Sequence, residues 1–210
     1  MMKIFGAFVL AVFVAAASAC PAGGLRAGAR PGPRPGAEVP PPARPSPFTF
    51  VAKSVSTPYH PATLRRHYEE AAADKTAGEK FYQLLADYRE RDALVLGYKA
   101  ASEAIRARDA SMFNKLTYVQ DAARTFDQAV GLDPHNPEIR FLRFSVESNL
   151  PAFLGLSKHV DEDKGLLLHA ALNHPQSGLD AEAFRTMRSF LVDRGHVSDA
   201  DAQRLGRVKE

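Results

Sequence analysis

Apolar residues recur every three to four positions from about Thr57 to the end of the chain, which predicts helix after helix. The first helix is expected to start near Thr57-Pro58 or at Pro61, because proline is tolerated in a first turn. Leu64, His67, Tyr68 and Ala71 then share its inner face. A second helix, about 75–89, places Phe81, Leu84, Leu85 and Tyr88 inward. Asp92 is positioned to cap a third, about 93–107, through Leu94, Tyr98, Ala101 and Ile105. A fourth, about 116–131, carries Val119, Ala122, Ala123, Phe126, Ala129 and Val130, and a fifth runs about 137–149. Only Phe48–Val51 reads as extended, as an arm.

Pro151 and Gly155 interrupt the pattern. Ser157 is the expected cap of a sixth helix, about 158–172, with Leu166, Leu167, Leu168 and Leu172. Ser177 to Asp180 has the spacing of a capping box ahead of a seventh, about 180–194, which Gly195 ends. Ser198 to Asp201 repeats that spacing before a short last helix. Short helices with brief connections imply antiparallel neighbours. The expected fold class is therefore all-α: antiparallel hairpins of about seven to eight helices, stacked as a solenoid or gathered in a compact bundle.

Helical periodicity is absent before residue 48. Residues 1–19 have the parts of a secretory signal: Lys3, an apolar run from Ile4 to Ala17, and small residues to Ala19. The run is shorter than the roughly 20 apolar residues of a comfortable span. Cys20, the one cysteine of the chain, follows directly. Ala17-Ser18-Ala19-Cys20 resembles a bacterial lipoprotein signal, although Ala17 stands where Leu is preferred and Pro21 is unusual after the cysteine. Two outcomes stay open: lipidation of Cys20, or plain cleavage after Ala19. Residues 20–47 read as a linker, because Pro21 to Pro47 holds nine prolines and five glycines in 27 residues. Residues 48–210 form the expected helical domain. The chain is expected to be exported, to the periplasm or the outer membrane as a lipoprotein, or otherwise secreted, with a lipid anchor as its one membrane contact.

Charge narrows the partners. Five of the 27 basic residues and one of the 24 acidic residues precede residue 48, so 22 and 23 remain for the domain. A domain with that balance lacks the basic stripe of a nucleic-acid binder. Without cysteine it has no disulfide, thiol nucleophile or thiolate metal site.

Ala122-x3-Phe126-x2-Ala129-x4-Pro134 resembles the second helix of a tetratricopeptide repeat, and Asp133-Pro134-His135-Asn136-Pro137 resembles the turn between repeats. Ala77-x3-Phe81-x2-Leu84 is an earlier half-match 45 residues upstream, against a usual period of about 34. Leu132 to Phe144, Asn149 to Gly155 and Asp161 to Lys164 resemble a family of short exported proteins of Bacteroidota. That resemblance implies origin and envelope placement, and no activity.

Residues 139–156 are the densest apolar stretch. Ile139, Leu142 and Val146 share one face while Phe141 and Phe144 point elsewhere, the pattern of a central buried helix. If a groove exists, Phe141, Phe144 and Phe153 are expected to line it, flanked by Arg140 and Arg143. Those arginines have a second reading, as partners of Asp161, Glu162 or Asp163. His159 and Asp163 are four apart and share a helical face, but His169 points about 80° away and no metal signature is present. No nucleophile elbow, phosphate loop or dinucleotide fingerprint occurs. No carboxylate is read as isolated in an apolar run. The expectation is no catalytic residue, no metal and no cofactor. The expected function is an envelope interaction module for a peptide or partner protein, with a carrier of a lipid or other apolar ligand as the alternative.

Overall fold

The computed structural model describes residues 58–209. The expected leader, linker and extended arm at 48–51, and Cys20 with them, lie outside the described residues.

Among the described residues the protein is an all-α bundle of eight α-helices without a strand. The helices are α1 (Pro61–Ala73), α2 (Lys75–Ala86), α3 (Ala93–Asp109), α4 (Met112–Leu132), α5 (Pro137–Glu147), α6 (Val160–Leu172), α7 (Ala181–Asp193) and α8 (Asp199–Leu205). A 3₁₀ turn, Ala152–Leu154, separates α5 from α6 and ends on Gly155 at φ +64°. Each helix packs on its successor up to α7, with the α3–α4 hairpin the most extensive pairing. In addition α1 packs on α3 and α3 on α5, so these three helices form one row.

Small residues set these approaches. A Cβ on Gly97 would sit 3.5 Å from Ile139 and Leu142, which brings α3 close to α5. A Cβ on Gly78 would come within 3.0 Å of Ile105 Cγ2, which holds α2 against α3. Ala122, Phe126 and Ala129 are all buried along α4, with the ring filling the space that the alanines leave.

Two hydrophobic clusters meet at α5. The first gathers α1–α5 around Leu64, Phe81, Leu85, Tyr98, Ile105 and Phe126. The second gathers α5–α8 around Phe144, Leu167, Phe184, Met187, Leu191 and Leu205. Ile139, Leu142 and Val146 enter the first cluster, while Phe141 and Phe144 enter the second. Helix α5 is buried from Ile139 to Glu147, so its apolar residues point to several sides because it has neighbours on several sides.

Lysine and arginine side chains close three helix ends, where carbonyls lack intrahelical partners. Lys99 Nζ donates to Ala86 O (3.1 Å) and Tyr88 O (3.0 Å) after α2. Arg108 donates to Ala72 O (2.7 Å) and Ala71 O (3.2 Å) in α1. Lys115 Nζ donates to Ala107 O (3.3 Å) and Arg108 O (2.6 Å) in α3.

Several boundaries differ from the sequence expectation. Helix α2 stops at Ala86 rather than near 89, because Lys99 takes the carbonyls there and Tyr88 turns its ring edge-on to Tyr59 at 4.9 Å. Helix α4 starts at Met112 rather than near 116. Ser157 does not cap α6: its hydroxyl donates to Glu147 O (2.8 Å), and His159 occupies the cap position, its amide donating to Glu147 Oε2 (2.8 Å). Asp180, not Ser177, caps α7 by accepting from Ala183 N at 2.9 Å. Asp92 and Ser198 cap α3 and α8 as their spacing predicts.

Candidate functional site

The residues expected to line a groove do not come together as one. Phe141 is 8% exposed and Phe144 is fully buried, both inside the second cluster, whereas Phe153 is 78% exposed on the 3₁₀ turn. The physical reason is α5 itself: surrounded on several sides, it has packed its rings into core, where they contact Phe190 and His196.

Arg140 and Arg143 are buried ion-pair partners. Arg140 Nη1 donates to Asp163 Oδ1 (2.7 Å) and Glu162 Oε1 (2.7 Å). Arg143 Nε and Nη2 donate to Asp163 Oδ2 and Oδ1, each at 2.8 Å. Asp163 has no exposed surface and accepts three charge-assisted bonds. Asp161 stays outside this group and pairs with Lys164 (3.0 Å). The hydrogen bond from Arg140 holds the Glu162 carboxyl below the ordinary range, against a smaller opposing effect of burial. His159 turns its Nδ1 to Glu147 Oε1 (2.8 Å), away from any shared site with Asp163. Among the described residues no group of histidines, cysteines and carboxylates could hold a metal ion.

An open cleft of about 680 Å³ is lined by the loop after α2, one side of α3 and the C-terminal half of α4. Tyr88, Arg89, Glu90 and Arg91 form its rim, Leu96, Lys99 and Glu103 its α3 side, and Asp121, Arg124, Thr125, Gln128 and Leu132 its α4 side. Helix α3 is the main neighbour of α4 and α5 a lesser one, which leaves part of α4 to line the cleft. The loop 87–92 then rises past the end of α2 as a wall.

Glu103 is the unusual group here. It stands between Ala100-Ala101-Ser102 and Ala104-Ile105, so the sequence does contain a carboxylate in an apolar run. Helix α3 buries the small residues on either side and leaves Glu103 half-buried in the cleft wall. Thr125 Oγ1 donates to Glu103 Oε2 at 2.8 Å, but the same hydroxyl also lies 3.0 Å from Asp121 O, and its single proton serves both. Desolvation is the largest influence on Glu103 and pushes its pKa up; Thr125 and the charge of Lys99 oppose it. On the rim, Arg124 pairs with Asp121.

A smaller hollow of about 330 Å³ lies where α2, the end of α3 and the start of α4 meet, lined by Lys75, Glu79, Arg106, Asp109, Asn114 and Tyr118 among others. Its main cation is already engaged. Arg106 pairs with Glu79, and its guanidinium lies 5.3 Å and 5.8 Å from the Tyr82 and Tyr118 ring centres.

Comparison of the chain with protein-family models, with curated proteins and with solved structures finds no match.

Proposed function

We propose that this protein is an exported helical interaction module that holds a peptide segment of a partner protein in the cleft between the loop 87–92, α3 and α4. The observation that carries the reading is the cleft itself: an open channel of about 680 Å³ whose walls alternate charged, polar and apolar side chains. Such a lining suits a chain with backbone and side-chain polar groups better than a purely apolar ligand. The row of α1, α3 and α5 and the small-and-ring packing of Ala122, Phe126 and Ala129 support the tetratricopeptide-like resemblance. Export rests on the leader at residues 1–19, with Cys20 as the position for a lipid. Among the described residues no helix is long and apolar enough to cross a membrane. The apolar-carrier reading is weaker, because Phe141 and Phe144 are already packed against their own neighbours.

A photo-crosslinking amino acid at Gln128, in the cleft, and at Gln176, on the α6–α7 connection, tests the reading in cells of the source organism. The expected result is a discrete adduct of protein size from Gln128, lost with Leu132→Glu beside it and absent from Gln176. No adduct at Gln128, or the same adducts from both positions, would overturn it.

A further inference from the structure

We infer that the cleft is a seat for one basic side chain, a lysine or arginine of the bound peptide, received by Glu103. The inference rests on the peptide-binding reading above and specifies its chemistry.

An ionised carboxylate offers about four lone-pair sites. Glu103 fills one of them, with a hydroxyl proton that Asp121 O also claims. Among the described residues no ion pair reaches it, and Lys99 and Arg124 act on it through their charge alone. Lys99, on the preceding turn of the same helix, directs its ammonium to Ala86 O and Tyr88 O instead. Glu69 is likewise half-buried, with its pKa pushed up by burial, but it lies outside the cleft lining. Three other covered acids have firm partners. Glu138 accepts Arg65 and Tyr98, Asp163 accepts Arg140 and Arg143, and Glu147 takes the His159 amide and ring. Glu103 is partly desolvated by the fold and left with one shared donor in a channel wide enough for a side chain. A carboxylate in that state gains from a charge-assisted N–H donor, because its desolvation is already in place before the ligand arrives.

The surroundings set the sequence context of the ligand. Arg89 and Arg91 on the rim have no side-chain partner among the described residues, and with Lys99 and Arg124 they outnumber Glu90, Glu103 and Asp121. A polycation would be repelled by this wall. One basic residue followed by an acidic one matches it, the base at Glu103 and the acid towards Arg89 and Arg91.

The test uses the full chain and two capped tetrapeptides, acetyl-Ala-Lys-Asp-Ala-amide and its norleucine analogue. Nuclear magnetic resonance reads amide shifts near Thr125 and the carboxyl carbon of Glu103 during titration. The lysine peptide is expected to bind at least about tenfold more tightly than the norleucine peptide, and Glu103→Gln is expected to erase that difference. Saturation should also move the Glu103 carboxyl titration to lower pH, a readout that needs no variant. Spermidine is expected to bind more weakly than the lysine peptide. Equal binding of the two peptides, an unmoved carboxyl titration or a preference for spermidine would overturn the inference. If crosslinking at Gln128 persists while these fail, the cleft still binds a partner and Glu103 is not its cation seat. If the crosslinking fails as well, both readings fall.

Discussion

Arg65 on α1 and Glu138 in the first turn of α5 meet through two parallel hydrogen bonds, Nε to Oε1 and Nη2 to Oε2, each 2.7 Å. The residues are 73 positions apart, and both side chains are almost covered, at 13% and 12% exposure. Arg65 Nη1 also reaches Asp180 Oδ2 at 2.6 Å, the cap of α7. Tyr98 adds its hydroxyl to Glu138 Oε1 at 2.5 Å. One guanidinium therefore ties the first helix to elements of both hydrophobic clusters. The hydrogen bond that Arg65 donates to Glu138 pushes the Arg65 pKa further above its already high value, so the guanidinium stays charged.

That geometry sets the first expectation. A double-mutant cycle of Arg65→Met and Glu138→Gln, read by urea unfolding, should give a coupling of about 1.5–3 kcal/mol, as for hydrogen bonds between charged groups away from bulk water. Arg65→Met should also speed hydrogen exchange at the start of α7, where Asp180 loses its partner. A coupling below about 0.5 kcal/mol would place the pair with ordinary surface ion pairs instead.

The Asp163 site leads to a different outcome for single and combined changes. Asp163→Ala leaves two buried guanidinium groups without their main acceptor and should cost about 3–5 kcal/mol in urea unfolding. Replacing the set together, with Arg140→Met, Arg143→Leu and Asp163→Leu, removes the desolvation penalty along with the attraction. The triple variant should recover at least about half of that loss. A triple variant as unstable as Asp163→Ala would show that the ions fix the α5–α6 geometry in a way apolar packing cannot replace.

Much of this arrangement was legible along the chain. The apolar residues of α5 announce a helix with several buried sides, and the acids at the start of α6 point to Arg140 and Arg143 as partners. What stayed hidden depends on residues distant in sequence. Nothing near Ala86 says that α2 stops there; the cause is an ammonium 13 residues later. Ser157 has the right chemistry for a cap, but the Glu147 carbonyl draws its hydroxyl away. For Phe141 and Phe144 the sequence favoured a buried helix and left a groove open, because apolar density marks a core and a groove alike; the fold buries both rings. The cleft at Glu103 has no motif, since its walls come from a loop and two helices that only the α3–α4 hairpin brings together. The one local signal was an acid among alanines, which the alanine-rich helical pattern masked.

His196 provides a pH test. Its ring stacks on Phe190 (5.1 Å between centres, 15° between planes) and meets Phe144 edge-on at 4.9 Å. Burial lowers its pKa, and the charges of Arg194 and Lys164 lower it further. The unfolded chain therefore takes up a proton near pH 6.5, before the folded protein does. The contribution of neutral His196 is complete above that value. It falls as pH drops from about 6.5 towards the lower folded value, and is constant below. His196→Phe keeps the ring contacts and removes the proton. Between about pH 8 and about pH 5 its Tm should fall less than that of the wild type; an equal fall would assign the acid sensitivity to other groups.

Glu103 connects stability to the proposed binding, and the sign runs the other way. Burial raises its folded pKa above the unfolded value, so the folded state binds this proton more readily. Its contribution to stability is fully present below the ordinary glutamate range and is lost as pH rises through the folded pKa. At neutral pH the ionised carboxylate thus weakens the fold that contains it, a condition expected of groups held ready for a ligand rather than for packing. Glu103→Gln keeps the shape and an acceptor for Thr125 while removing the charge. At about pH 7.5 the variant should melt above the wild type, and the difference should shrink towards about pH 4, where the wild-type carboxyl is itself neutral. A variant that melts below the wild type at neutral pH would mean that Glu103 already has, within the folded protein, the favourable partners that the cleft is proposed to obtain from a peptide.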